Sequence, residues 1–179
     1  MKKTLLLIIV AFLICNLNLA GQENKFVKHF YASLEAATYM SGNYSRLDNS
    51  DWKRNALNLA LGYRPNHSWS IYLPYELEFV QYNMDSTRNY LEQASLGVGT
   101  GYQFNVSKEN KYRVELSLTA SSSIMKSSPG YFTSKLMLKC GASRLCAPYV
   151  GIGLAYLHSY DGLLNDSFAI GFTVGNWFF

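Results

Sequence analysis

Few residues in this chain could do covalent chemistry, and their spacing limits each reading. The histidines are His29, His67 and His158, one per distant region. A serine hydrolase needs a histidine and a serine on one face, with a carboxylate in reach. His158 and Ser159 are adjacent, so a regular strand sends them to opposite faces. His67 lies beside Ser68 and Ser70, in the turn-like stretch that begins at Pro65. His29 shares parity with Ser33 and Glu35 but has no nucleophile two residues away. Three scattered histidines spell out no metal site. The glycines do not sit between a strand and a helix, so they form no phosphate-binding loop. The expectation is no catalytic residue, no cofactor and no metal.

Cys140 and Cys146 are a different kind of pair. Antiparallel pairing centred on Ser143 would set them directly opposite, within disulfide reach. An oxidising compartment would permit the bond. Two independent thiols are the other reading, and either role is structural.

The remaining chemistry-bearing residues are charged. Glu35, Arg54, Arg64, Glu76, Glu78, Arg113, Glu115, Lys135 and Lys139 comprise four acids and five bases. What places them is a period of two. Leu57, Leu59, Leu61 and Tyr63 alternate with Ala56, Asn58, Ala60 and Gly62. Trp69, Ile71, Leu73, Tyr75, Leu77 and Phe79 alternate with Ser70, Tyr72, Pro74, Glu76 and Glu78. Leu96, Val98, Thr100, Tyr102 and Phe104 alternate with Ser95, Gly97, Gly99, Gly101 and Gln103. Such alternation is the strand signature, and eight segments carry it. All nine charges fall on the smaller, more polar face, with Arg64 near one rim.

A soluble sandwich also alternates, with its polar faces toward water. These segments are longer than the usual five or six residues of a soluble strand. Their second face is rich in Gly, Ala and Ser, which suits the crowded lumen of a narrow closed barrel. A tilted strand of about ten residues matches the hydrocarbon thickness of a membrane. Aromatic residues cluster where a membrane girdle belongs. Tyr63, Trp69, Tyr102, Phe104 and Tyr112 flank one set of connections, and Tyr90, Phe132, Tyr160 and Phe168 the other. The fold class expected is all-β, an eight-stranded antiparallel up-and-down transmembrane barrel over residues 21–179. Pro74 lies inside a strand and lacks an N–H, so a local distortion without a register slip is expected there.

Residues 1–20 read as a secretory signal peptide. Met1-Lys2-Lys3 is positive, Leu5 to Ile14 is apolar, and Ala20 is a small residue at a cleavage point. Ile14 is too bulky before Cys15 for a lipoprotein signal. Without Lys2 and Lys3 the net charge falls from +4 to about +2, too small to argue for a nucleic-acid partner.

The last stretch, Phe168 to Phe179, alternates large apolar residues with small ones and ends on Trp177-Phe178-Phe179. A final strand of this kind, closed by Phe, resembles the assembly signal of bacterial outer-membrane barrels. Signal peptide, eight strands and Phe179 together resemble the small eight-stranded outer-membrane β-barrel family. One detail departs from that pattern: Phe179 has the parity of Gly175, while Phe178 has that of Val174. Either a bulge near Asn176 shifts the register, or Phe178 is the outward ring. All three terminal rings are expected at the bilayer interface.

The resemblance implies a bacterial outer-membrane location. Implied partners are outer-membrane lipids including lipopolysaccharide, the barrel assembly machinery during insertion, and a protein partner in the envelope. The expected role is structural or interactive: envelope stabilisation, or the membrane subunit of an assembly, with a closed polar lumen rather than a general pore. Two alternatives stand beside it. Some barrels resembling this one remodel lipid A. The segment Ser41–Trp52, with Tyr44, Arg46, Asp48 and Asp51, would suit an adhesive loop.

Overall fold

The structure is a computed structural model, and it describes residues 29–41, 52–66, 68–84, 87–105, 112–124, 130–142, 146–160 and 166–178. The signal-peptide reading, Phe179, His67 and nearly all of the long loop after Ser41 lie outside these residues.

Eight strands form: β1 Phe30–Ser41, β2 Trp52–Tyr63, β3 Trp69–Met84, β4 Thr87–Asn105, β5 Tyr112–Ser123, β6 Tyr131–Ala142, β7 Cys146–Ser159 and β8 Ser167–Phe178. Each pairs antiparallel with its neighbours in order, and β8 pairs with β1, so the sheet is a closed barrel. Closure satisfies every strand edge, which is why such a sheet can stand in hydrocarbon. The barrel runs inside out relative to a soluble protein. Leu57, Leu61, Ile71, Leu73, Val98, Leu118, Leu154 and Val174 are exposed on the outer wall, while Glu35, Arg54, Glu76, Glu78 and Glu115 are buried.

Aromatic rings band both ends of that wall. At the end nearer the first residue of β1, Phe30 packs on Tyr63 at 5.2 Å, and Trp69 on Tyr102 at 4.9 Å. At the opposite, loop end, Tyr90, Tyr160 and Phe168 project outward.

The β3–β4 hairpin is longer than the alternation indicates. The apolar alternation lapses over Asn83–Asn89, as it would in a loop, yet the ladder continues to Met84 opposite Thr87. This connection is therefore the tightest at the loop end. At Pro74 the β3–β4 ladder is interrupted, but Tyr72↔Gly99 and Tyr75↔Leu96 keep one register on either side. The missing N–H costs a ladder bond locally and shifts nothing.

The end of β8 corrects one expectation. Val174, Gly175, Asn176, Trp177 and Phe178 keep a constant register against β7 and also against β1. No bulge forms at Asn176, so Phe178 takes the outward parity. Trp177 does not face the bilayer: it is buried inside the barrel, 1% exposed, and stacked on Tyr149 with centroids 4.2 Å apart. Its parity with Gly175 outweighs its preference, as an aromatic residue, for an interface.

Candidate functional site in the barrel lumen

The lumen is built in layers, beginning with glycine. Four lumen tyrosines each lie directly across from a glycine on the next strand: Tyr31↔Gly62, Tyr39↔Gly171, Tyr72↔Gly99 and Tyr149↔Gly175. A β-carbon at Gly62 or Gly99 would overlap the facing ring, and at Gly171 or Gly175 it would come within 2.7 Å. The glycines thus let large rings lie flat against the wall of a narrow barrel, shielding bare backbone.

On three of these rings sits a cation. The Arg64 guanidinium carbon is 4.6 Å from the Tyr31 centroid, and that of Arg54 is 4.4 Å from Tyr39. Lys139 Nζ is 5.2 Å from the centroid of Tyr149. Each of these cations meets a carboxylate. Arg54 Nη1 is 3.3 Å from Glu78 Oε2, Arg64 Nη2 3.5 Å from Glu115 Oε2, and Lys139 Nζ 2.7 Å from Glu35 Oε2. The unit of glycine, tyrosine, cation and carboxylate therefore occurs three times. Desolvated cation–π contacts of this kind contribute up to about 2 kcal/mol each.

The remaining charges join the same mass. Lys135 pairs with Glu76 and also lies 5.7 Å from the Tyr39 ring centroid. The Arg113 guanidinium lies 5.5 Å from the Trp177 centroid. Glu78 accepts hydrogen bonds from Ser95 and Tyr131, and Glu35 accepts one from Tyr149 at 2.8 Å. Tyr72 and Thr119 hydroxyls meet at 2.8 Å.

The structure thus brings eight of the nine charges into four ion pairs, and Arg113 onto Trp177. Three of the pairs, Lys135–Glu76, Lys139–Glu35 and Arg64–Glu115, join parts of the wall that share no ladder, Arg64 lying one residue past β2. An eight-stranded barrel has an interior just wide enough for side chains to fill. Sequence parity identifies which residues enter the bore but not the role of the tyrosines as spacers. The signal for that role is a Tyr–Gly coincidence across neighbouring strands, visible only once the register is known.

Among the described residues the candidate catalytic groups stay apart. His158 points outward and Ser159 inward, half-exposed and buried respectively. His158 Nδ1 instead meets Asp166 Oδ2 at 2.7 Å at the loop end. There Asp166 also accepts from the Ser159 amide at 3.0 Å and from the Tyr156 hydroxyl at 3.2 Å. The hydrogen bond from His158 holds the Asp166 carboxyl below the ordinary aspartate range, and the Ser159 amide adds to it. His29 Nδ1 lies against the Arg64 carbonyl at 2.6 Å, and Ser70 Oγ donates to the Gly101 carbonyl at 3.4 Å.

The cysteine pairing is corrected as well. Cys140 sits opposite Val150, four residues along β7 from Cys146. At about 3.3 Å per residue this offset is roughly 13 Å, beyond the 7 Å limit for a bridge. The register of β6 against β7 therefore does not set the two cysteines opposite each other. Cys140 is a free, exposed thiol on the outer wall, and the side chain of Cys146 lies outside the described residues.

An apolar outer wall, two aromatic bands, no sheet edge and a charged bore define the class: an integral eight-stranded transmembrane β-barrel. Among solved structures, the chain resembles Neisserial surface protein A, with a TM-score of 0.51 and 15% identity over 83% of this chain and 96% of that one. Weaker likenesses are the Yersinia pestis outer membrane protein Ail (TM-score 0.34, 14% identity, covering 84% and 99%) and the β domain of the Bordetella autotransporter BrkA (0.27, 11%, covering 84% and 98%). No protein-family model matches the chain, and no curated protein sequence does.

Proposed function

We propose that this barrel is a structural or interaction component of the outer membrane, closed to ions and distinct from a general porin. The observation that carries the reading is the set of three ion pairs spanning the bore between parts of the wall that share no ladder. Long side chains locked to both walls leave no room for a hydrated ion. A charge isolated in such a site would cost several kcal/mol, whereas paired charges hold the walls together. Its surroundings are outer-membrane lipid, its insertion relies on the barrel assembly machinery, and its work is done by its surfaces: the lipid-facing wall and the loop end. The first residue of β1 lies at the periplasmic end and the β7–β8 connection outside.

Purified protein in planar lipid bilayers tests the closed bore. No stable conductance is expected, and steady currents from the unmodified chain would overturn the reading. Orientation is tested separately on intact cells. A cysteine placed at Asp166 is expected to react with an impermeant maleimide, and one at Asn66 is not. Copurification from native membranes in mild detergent reads whether a stoichiometric protein partner accompanies the barrel.

A further inference from the structure

The outer wall is not uniformly convex. Across β1, β2 and β8, with Phe79 of β3 and Val150 of β7 at its sides, it sinks into a groove of about 620 Å³. One hydrogen-bonded row crosses it as Phe79, Asn55, Thr38 and Phe172, so two outward rings wall a polar floor. In the next row Ala36 lies between Leu57 and Val174 and leaves a dip. The row on the loop-end side places Lys53 between Met40 and Gln81. Lys53 and Asn55 are both exposed on this wall. A carboxamide turned toward hydrocarbon is costly unless something hydrogen-bonds it. Thr38 Oγ1, in the same floor, is buried with no hydrogen-bond partner among the described residues.

We propose that this groove holds lipid A, the phosphorylated, acylated glycolipid of the outer leaflet. One acyl chain lies over Ala36 between the Phe79 and Phe172 rings. The amide, ester or hydroxyl at the head of that chain meets Asn55, and a phosphate meets Lys53. The order of the rows carries the assignment: cation, then amide, then apolar trough, from the loop end inward. Lys53 and Asn55 are two residues apart on one strand, on the order of 7 Å, a separation that matches a lipid phosphate and its nearest acyl linkage. A neutral lipid leaves Lys53 unmatched. A second copy is disfavoured, because a two-fold contact through this groove brings Lys53 toward its own counterpart. The choice of lipid A over an inner-leaflet anionic lipid rests on the orientation proposed above.

Native mass spectrometry of the full barrel released from detergent tests the assignment. Lipid A, phosphatidylglycerol and phosphatidylcholine are the probes, each added at equal concentration. Orientation plays no part in detergent, so an inverted barrel and an empty groove are told apart. One lipid A per barrel is expected to survive activation that strips both phospholipids. Lys53→Gln is expected to lower the retained fraction roughly fivefold, the weight of one lysine at an anionic lipid. Ala36→Phe fills the dip from an exposed position and is expected to abolish retention. Ala120→Phe on the opposite wall is expected to leave it unchanged. Heat-modifiable migration in gels reports that each variant is folded. Equal retention of phosphatidylglycerol, undiminished lipid A on folded Ala36→Phe, or a dimer lost in that variant would each overturn the proposal.

Discussion

Lys139 on β6 reaches Glu35 on β1 with Nζ 2.7 Å from Oε2, a contact between strands that share no ladder. It is the lumenal half of a stack that starts at Gly175 in the wall and passes through Tyr149. Removing one partner strands the other in the bore. Lys139→Met is expected to cost about 3–5 kcal/mol, read as a lower midpoint in urea unfolding from lipid vesicles. Pairing it with Glu35→Leu should recover most of the loss. An unchanged midpoint in the single variant would show that the pair does not hold the walls.

Gly99 faces the ring of Tyr72, and a β-carbon there would overlap it. Gly99→Leu is expected to destabilise the barrel by about 1–3 kcal/mol through overpacking. The temperature at which the compact gel band disappears measures it. Tyr72→Ala in the same background should relieve part of the effect.

Trp177 and Trp69 should report opposite surroundings. Trp69 is 49% exposed on the outer wall and Trp177 is 1% exposed in the lumen. In single-tryptophan variants reconstituted in brominated lipid, Trp69 emission should be quenched and Trp177 emission spared. Strong quenching of Trp177 would return it to the bilayer face.

Cys140, exposed and opposite Val150, should remain a thiol. In a Cys146→Ser background a membrane-permeant maleimide should label it. Replacing Cys146 should leave thermal stability unchanged under non-reducing conditions, whereas a bridge would make it fall.

Asp166 binds its proton more weakly than an ordinary aspartate, whose value is near 3.8, because His158 hydrogen-bonds to its carboxylate. A depressed carboxyl contributes stability above its ordinary value and loses it as pH falls through the lowered one. The Ser159 amide, 3.0 Å from Asp166 Oδ1, should shift in NMR spectra as Asp166 takes up its proton, below the ordinary aspartate value. Asp166→Asn should abolish that titration.

The alternation made the wall legible, because a period of two assigns a face to every residue from one anchor. Glu76, Glu78, Lys135 and Lys139 enter the bore on that logic alone. What alternation does not encode is register between strands, and the errors follow from this. The Cys140–Cys146 offset depends on where the β6–β7 turn is centred, which three connecting residues leave open. The added length of the β3–β4 hairpin, Met84 opposite Thr87, falls where Asn83, Arg88 and Asn89 interrupt the apolar series. Trp177 shows the remaining failure. Its parity with Gly175 is written in the sequence, whereas its residue type alone points to the interface. Parity wins because one residue cannot change face without a bulge.

Two of the glycines beneath the lumen rings belong to the strand that completes the circle. Gly171 of β8 lies under Tyr39 of β1, and Gly175 of β8 lies under Tyr149 of β7. Until β8 docks, both rings present a bare face to whatever fills the unfinished bore. An aromatic side chain buries on the order of 150–250 Å² when fully packed, so part of that gain is withheld until the last strand arrives. The seam between β1 and β8 is therefore drawn shut by its own contents. Hydrogen bonds zip the edges while the rings settle over the incoming glycines, and the wall cannot finish without the bore finishing with it.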